Sequence, residues 1–367
     1  MSSVGILECK SYDPEEVKEA IRVITSPFDK KKIEGKKIAL YFDFPAPNPV
    51  FLREVIRFLK GVGVSEIVAG TSVISAPVPG EITDMLEGEG VKFVDFRKDK
   101  YEKLTVPLHG EKMPDHFRGY ALLSPVQYSR ERQLEKMNVK GKRILKHSFL
   151  PLTLTEADYI VPVVKLKVSP VTVIGGVVSS VLSIVPTLTR NEIFINKLKY
   201  QMEQAIVEVY GLIQERMVFG FVDAVEADLT GDKELDKMNA ILFSEDGFAL
   251  DSLSAVLIGY RSRDIKTNKV GDDLGFGSGL FSHVSLFGDE FLHFRKDLVK
   301  FLKYGRYGSL RGKKPRVLKN DAERISKIET FCPTGAIKFE NGQYKIDRHS
   351  CISCMYCVQL LPDLFGV

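Results

Sequence analysis

Four of the chain's five cysteines lie between Cys332 and Cys357, in the stretch CPTGAIKFENGQYKIDRHSCISCMYC. Cys351, Cys354 and Cys357 form Cys-x2-Cys-x2-Cys, and Cys332 is followed directly by Pro333. Zinc takes four cysteines mostly as two separated pairs, whereas here a close triple is joined by one distant residue. A disulfide framework belongs to oxidising compartments, and the opening MSSVGILECKSYDPEE has neither the basic region nor the apolar run of a secretory leader. The pattern points first to an iron–sulfur cluster, with zinc and disulfides as weaker alternatives. Cys9 stands apart and reads as an inert, buried thiol.

In the bacterial two-cluster run Cys-x2-Cys-x2-Cys-x3-Cys-Pro, the fourth cysteine ligates the other cluster. That crossover accounts for the spacing here. Cys332-Pro333 ends one motif and Cys351–Cys357 opens the next, and together they supply the ligands of one [4Fe–4S] cluster. The same spacing carried back from Cys332 lands on Ile328, Ile325 and Ala322, and carried forward from Cys357 it lands on Leu361, before Pro362. All four are apolar, as expected of a second site vacated and refilled as core. The intervening TGAIKFENGQYKID reads as a helical turn and then a hairpin about Asn341-Gly342. A small ferredoxin-like α+β domain is therefore expected over residues 321–367.

Elements to position a partner site come earlier. KKIALYFDF, EIVAGTS, VKFVDF and ADYIVPVVKL read as strands, alternating with helices over Pro14–Val23 and from Asn48-Pro49 to Gly61 and Gly63. Such alternation predicts a multi-layer α/β domain with parallel pairing over residues 1–305. VFGFVDAV and NAILFS are further strands, and a helix opens near Asp246. One long amphipathic helix is expected over Asn191–Met217, with Ile195, Leu198, Met202 and Ile206 on its apolar stripe. GDDLGFGSG (Gly271–Gly279) lacks the Lys-Ser/Thr of a phosphate-binding loop and reads as a flexible surface loop. Glu131–His147 reads as an exposed connection, and the basic run Arg306–Lys319 as part of an interdomain linker, 306–320.

Composition bounds the rest. With 367 residues, 44% hydrophobic and 27% charged, the chain is globular, and its net charge of +4 gives no case for nucleic-acid binding. The apolar stretch Val168–Pro186 is broken by Pro170, Gly175 and Gly176, so it is expected to be buried rather than to span a membrane. A cytoplasmic protein follows from these readings. The histidines at 109, 116, 147, 283, 293 and 349 form no ligand spacing.

Over roughly Lys36 to Gly279 the sequence resembles a family of archaeal and bacterial proteins, domain-of-unknown-function family 362, whose members are often fused to ferredoxin domains. The resemblance rests on KKIALYFDF with FLREVIRFLKGVGVSEIVAGTS, on LTEADYIVPVVKLK, and on FGFVDAVEADLTG with FSEDGFALDSLSAVLIGY. The family's Lys-x-Lys-Thr-His segment keeps Lys165 and Lys167 but has Val168-Ser169 for Thr-His. Ser179-Ser180 replace a Lys-Asn pair, and Thr71 replaces an acidic residue.

The charged residues left as a candidate substrate site are Lys165, Lys167, Asp223, Asp246 and Asp251, with Glu226 and Asp228 nearby. Open α/β sheets place ligands at strand ends, although Asp246 and Asp251 at a helix opening also suit N-terminal capping. Two functions are expected of this chain. One is an iron–sulfur redox protein that exchanges electrons with a partner protein and serves a small molecule held by the α/β domain. The other is a non-enzymatic binding or assembly protein with a structural cluster.

Overall fold

The computed structural model describes residues 2–72, 78–106, 143–199, 201–229, 235–296 and 313–367. The first layer of elements comprises β1 (Ser2–Glu8), α1 (Pro14–Ile24), β2 (Lys37–Tyr41), α2 (Pro49–Val62), β3 (Glu66–Thr71), α3 (Gly80–Gly88) and β4 (Lys92–Asp95). The chain continues through β5 (Tyr101–Thr105), β6 (His147–Pro151), α4 (Leu152–Thr155), β7 (Tyr159–Ser169) and β8 (Val173–Gly175). Next come α5 (Thr187–Ile195), α6 (Met202–Gln214), β9 (Gly220–Asp228), β10 (Asp236–Ser244), α7 (Gly247–Leu257), α8 (Lys266–Asp273) and β11 (Val284–Gly288).

Local sequence explains where these elements start and stop. The Asn48 side chain accepts from the Val50 amide, Pro49 fills the first turn of α2, and Gly63 ends the helix at a left-handed φ of 86°. The large sheet runs β11-β1-β10-β9-β7-β2-β3-β4, with β8 hairpinned onto β7. From β9 through β7, β2 and β3 to β4 every pairing is parallel. β10 runs antiparallel to both β9 and β1. The chain builds outward from β2 to β3 and β4, then returns to the other side of β2 as β7. The carboxyl ends of β2 and β7 therefore flank a topological switch point.

Helices cover both faces. Val17 and Ile21 of α1 and Phe51 and Val55 of α2 pack with Ile38 and Leu40 on one side. Phe194 of α5, Ile206 of α6 and Leu253 of α7 pack with Ala39, Tyr41 and Leu166 on the other. Val168–Pro186 is buried as expected, forming the end of β7, then β8, then a short 3-10 turn at Ser179–Ser183. No helix among the described residues is long and apolar enough to cross a membrane.

The last segment holds β12 (Arg316–Val317), α9 (Ala322–Glu329), β13 (Ile337–Glu340), β14 (Gln343–Ile346), α10 (Tyr356–Leu360) and β15 (Phe365–Gly366). Asn341 and Gly342, at φ 50° and 77°, close the β13–β14 hairpin as the sequence predicts. Ile325, Ile328 and Leu361 are buried, matching the expectation of refilled positions, whereas Ala322 opens α9 on the surface. These side chains belong to the same continuous core as β7 and α5. The joint centres on Phe194 and Tyr356, with ring centroids 4.6 Å apart.

Three expectations need correction. Asn191–Met217 is not one helix: α5 ends in a 3-10 turn over Asn196–Lys199, and α6 starts at Met202. Ile195, assigned to the apolar stripe, is exposed. Gly271–Gly279 is not a surface loop. Its first residues finish α8, and Gly277 is packed so closely that an added Cβ would fall 2.5 Å from Asp246 Oδ1. Of the basic run, residues 306–312 lie outside the described residues, and Arg316–Val317 pairs with Phe365–Gly366. His109, His116 and most of Glu131–His147 also lie outside them.

Truncating Phe194 to Ala at the joint is expected to cost about 3–5 kcal/mol of unfolding free energy. Denaturant titration followed by circular dichroism measures this.

Candidate functional site

The four cysteines converge. Cys332 follows α9, its amide bonded to the Glu329 carbonyl at 3.1 Å, and the chain reverses at Gly335, φ 59°. Cys351 begins the loop that carries Cys354 and leads into α10, whose second residue is Cys357. Ser353 and Met355 take left-handed φ values of 56° and 63°, which winds the backbone around the thiols. As a result, amides point at sulfur. Ala336 N–H donates to Cys332 Sγ at 3.1 Å and Ser353 N–H lies 3.5 Å from Cys351 Sγ. The Tyr356 and Val358 amides serve Cys354 and Cys357.

All four cysteines line one open pocket, whose remaining walls include Phe331, Pro333, Ile352 and Leu360 and no carboxylate. All are free thiols. Burial pushes the Cys354 thiol up to about 12, with Cys332 and Cys351 adding to the effect and the Tyr356 amide and Lys197 opposing it. Cys357 is raised by burial and by its three neighbouring cysteines. Among the described residues, no group of three or more His, Cys, Asp or Glu is placed to hold a metal ion. Cys9 is buried elsewhere and bonded to the Ser11 carbonyl at 3.3 Å, and burial lifts its thiol to about 12.

A second polar cluster lies at the carboxyl ends of the parallel strands. On β7, Lys165 Nζ donates to Asp223 Oδ2 at 3.1 Å, to Tyr12 Oη at 3.1 Å and to the Glu226 carbonyl at 2.7 Å. Asp223, fully buried on β9, also accepts from Tyr12 Oη at 2.9 Å and from the Asn48 amide at 2.9 Å. Burial and the Asp223 carboxylate raise the Tyr12 phenol, so it stays protonated and donates. Two residues on, Lys167 donates to Asp43 Oδ2 at 2.7 Å and to the Phe44 carbonyl. Asp228 stands opposite Lys167 across a register shift in the β7–β9 ladder. Gly175 is required here, since a Cβ would lie 2.3 Å from Lys167 Cε.

Lys165, Lys167 and Asp223 are thus brought together, while the other two carboxylates have separate duties. Asp246 is the N-cap of α7, accepting from Phe248 N at 2.8 Å, and it also ties down Ser2 Oγ and the Ser278 amide. Because β10 is antiparallel to β9, Asp246 sits at the opposite edge of the sheet from the lysines. Asp251 is inside α7 rather than at its opening. It accepts from the Val177 and Val178 amides at 2.6 and 3.1 Å, yet burial still lifts its carboxyl to about 7. Thr71, at the end of β3, is buried with no partner for Oγ1 among the described residues.

Sequence reading missed Tyr12 and Asp43, whose partners lie far along the chain, and it missed the residues that seat the cysteine tail. Tyr356 packs on Phe194, with the Arg190 guanidinium 5.7 Å from its ring centre. Burial pushes the Tyr356 phenol up to about 12, Arg190 opposes this, and the Asp43 carboxylate adds to it. Ser169, the last residue of β7, donates to Gln359 Oε1 of α10 at 3.3 Å. The cysteine loop therefore rests beside the Lys167–Asp43 pair.

Residues 117–256 match the family described as Domain of unknown function (DUF362). The DUF362 match takes in β7, β9, β10 and most of α7, and it supports the resemblance over that central stretch. No curated protein matches the chain. Among solved structures, a Thermotoga maritima protein is 13% identical with a TM-score of 0.39, over 62% of this chain and 54% of that one. The lactate racemase apoprotein from Thermoanaerobacterium thermosaccharolyticum is 12% identical with a TM-score of 0.36, over 67% of this chain and 55% of that one. The chain spans about half the length of each.

Two outcomes follow from the buried charges. Asp223→Ala strands Lys165 in the core and is expected to cost about 3–5 kcal/mol, read by chemical denaturation. The folded Asp251 carboxyl titrates above its unfolded value of 3.8. Its stabilising contribution is therefore complete below about pH 4 and is lost as the pH rises through about 7. At 1.36 kcal/mol per pH unit the loss amounts to about 4 kcal/mol. Stability–pH curves should show Asp251→Asn without this component, and parallel curves for the two proteins would contradict it.

Proposed function

We propose that Cys332, Cys351, Cys354 and Cys357 hold one [4Fe–4S] cluster in a small ferredoxin-like domain, and that the protein is an iron–sulfur redox protein. The observation that carries this reading is the convergence of four free thiols on one carboxylate-free cavity, with backbone amides aimed at their sulfurs. Amide-to-sulfur hydrogen bonds and burial are the means by which proteins stabilise and tune such clusters. Zinc takes four cysteines mostly as two separated pairs, whereas here a close triple is joined by one distant Cys-Pro. A cluster bound at its corners needs the thiols spread around a cavity.

Bound there, the cluster would supply one-electron transfer. The chain's own residues provide the rest. The loop Cys351–Cys357 is seated on α5 and on the end of β7, beside the switch-point crevice where open α/β sheets hold ligands. Lys167 and Asp43 at that crevice are the residues proposed to meet a small molecule, with Lys165 and Asp223 as a buried brace. The four cysteines are only partly buried, as a cluster serving a separate electron-donor protein would require, and the free thiols suit a reducing, cytoplasmic compartment. A purely structural cluster is less well supported, because the tail is already fastened by the shared core and by the Phe194–Tyr356 contact.

Anaerobic reconstitution of the full chain with iron and sulfide tests the reading. The expected result is about four irons per chain and an EPR signal on reduction, both abolished in Cys354→Ala. A colourless protein that retains zinc would overturn it. Reversible reduction by a ferredoxin-type donor separates the redox role from the structural one, because a structural cluster would not exchange electrons on mixing.

A further inference from the structure

The stretch from α5 into the following 3-10 turn presents one stripe to the cysteine tail. Arg190, Phe194 and Lys197 stand at i, i+4 and i+7, the spacing that places side chains on one helix face. Phe194 stacks on Tyr356, and the flanking cations reach the same loop. Arg190 is 1% exposed, and its Nε and Nη2 donate to the carbonyls of Leu182 and Val185, each at 2.8 Å. Lys197 Nζ donates to the carbonyl of Ser353, between Cys351 and Cys354.

Neither cation has a carboxylate partner among the described hydrogen bonds. Glu203 lies within electrostatic reach of Lys197 but is paired with Lys266 at 3.5 Å. Desolvating a cation without a counter-charge is costly, and burial does depress the Lys197 ammonium while Cys354 and Cys351 favour its charged form. The negative charge that would balance this stripe is the one four thiolates bring.

We propose that Lys197 and Arg190 are the fixed counter-charge of the cluster and hold its reduction potential up, with Lys197 acting through the Cys351–Cys354 loop. The inference rests on the cluster reading above. Reduction adds one electron, and so one negative charge, to a site that is already anionic. A cation held nearby favours the reduced form more than the oxidised one. The two residues act on the site's electrostatics and are positioning residues, not ligands.

Lys197→Gln tests this directly, since an amide still donates to the Ser353 carbonyl while the charge is gone. In a dithionite-mediated redox titration of the reconstituted full chain, the variant should hold about tenfold less reduced cluster at a fixed potential. For a one-electron couple that is a midpoint about 59 mV lower. Lys197→Arg should stay near the parent, and Arg190→Gln should shift in the same direction as Lys197→Gln. Without cluster, Lys197→Gln should melt at or above the parent temperature, because an unbalanced cation has left a desolvated site. A midpoint unchanged in Lys197→Gln and Arg190→Gln, or a loss of apo stability with no change in potential, would overturn the proposal. A parent chain that takes up no iron would fail the cluster reading itself.

Discussion

Everything at the working edge of this protein depends on how buried cations find oxygen. Lys165 and Lys167, each about 5% exposed, meet carboxylates: Asp223 for one and Asp43 for the other. Isolated in the core, either ammonium would be forced to lose its proton or to break the packing. The pairing fixes the geometry of three elements at once. Lys165 bridges β7 and β9 and holds Tyr12 from the segment after β1, while Lys167 draws the chain following β2 against the end of β7. The carboxyl ends of β2 and β7 at the switch point are therefore braced by their own side chains.

The same constraint separates α5 from the strand ends. Among the described residues, the hydrogen bonds of Arg190 and Lys197 go to carbonyls. Carbonyl dipoles supply hydrogen bonds but no net charge, so these two side chains leave a positive field facing the cysteine loop. Asp43 contributes the opposite sign from the crevice side of Tyr356. The aromatic ring of Tyr356, packed on Phe194, thus feels both the Arg190 guanidinium and the Asp43 carboxylate.

Legibility in the sequence follows the range of the interaction. The grouping of the four cysteines around one pocket could be read because the motif ties residue type to fixed short spacing, and the β13–β14 hairpin because Asn341-Gly342 supplies the left-handed turn locally. The caps of α2 were legible for the same reason. The break between α5 and α6 was not, because Ile195, Met202 and Ile206 keep helical spacing across it. What ends α5 is a local competition: the Asn196 side chain donates to the Glu192 carbonyl at 2.9 Å, and the Asn196 carbonyl then accepts from Gln201 N. Asp43 and Tyr12 escaped notice because their partners are Lys167 and Asp223, joined only by the fold. Asp246 was read as either cap or site carboxylate, and only strand direction decides, by placing it on the far edge of the sheet.

β7 is the element that joins the two sites. Its register shift after Lys165 turns the strand end so that Lys167 reaches Asp43 while Ser169 meets Gln359 of α10. Those contacts are two residues apart on one buried strand, with no flexible joint between them. A tail tethered only by a linker could sample many positions relative to the crevice. Here the hydrogen bond from Ser169, the Phe194–Tyr356 packing and the Lys197–Ser353 contact hold the cysteine loop from three sides. Three attachments from separate elements leave little freedom for rigid-body motion, so the distance between the cysteine cavity and the Lys167–Asp43 pair is a property of the core packing. A fixed separation of this kind suits the electron transfer proposed above, whereas a tail stapled by its own cluster would need only one of the three.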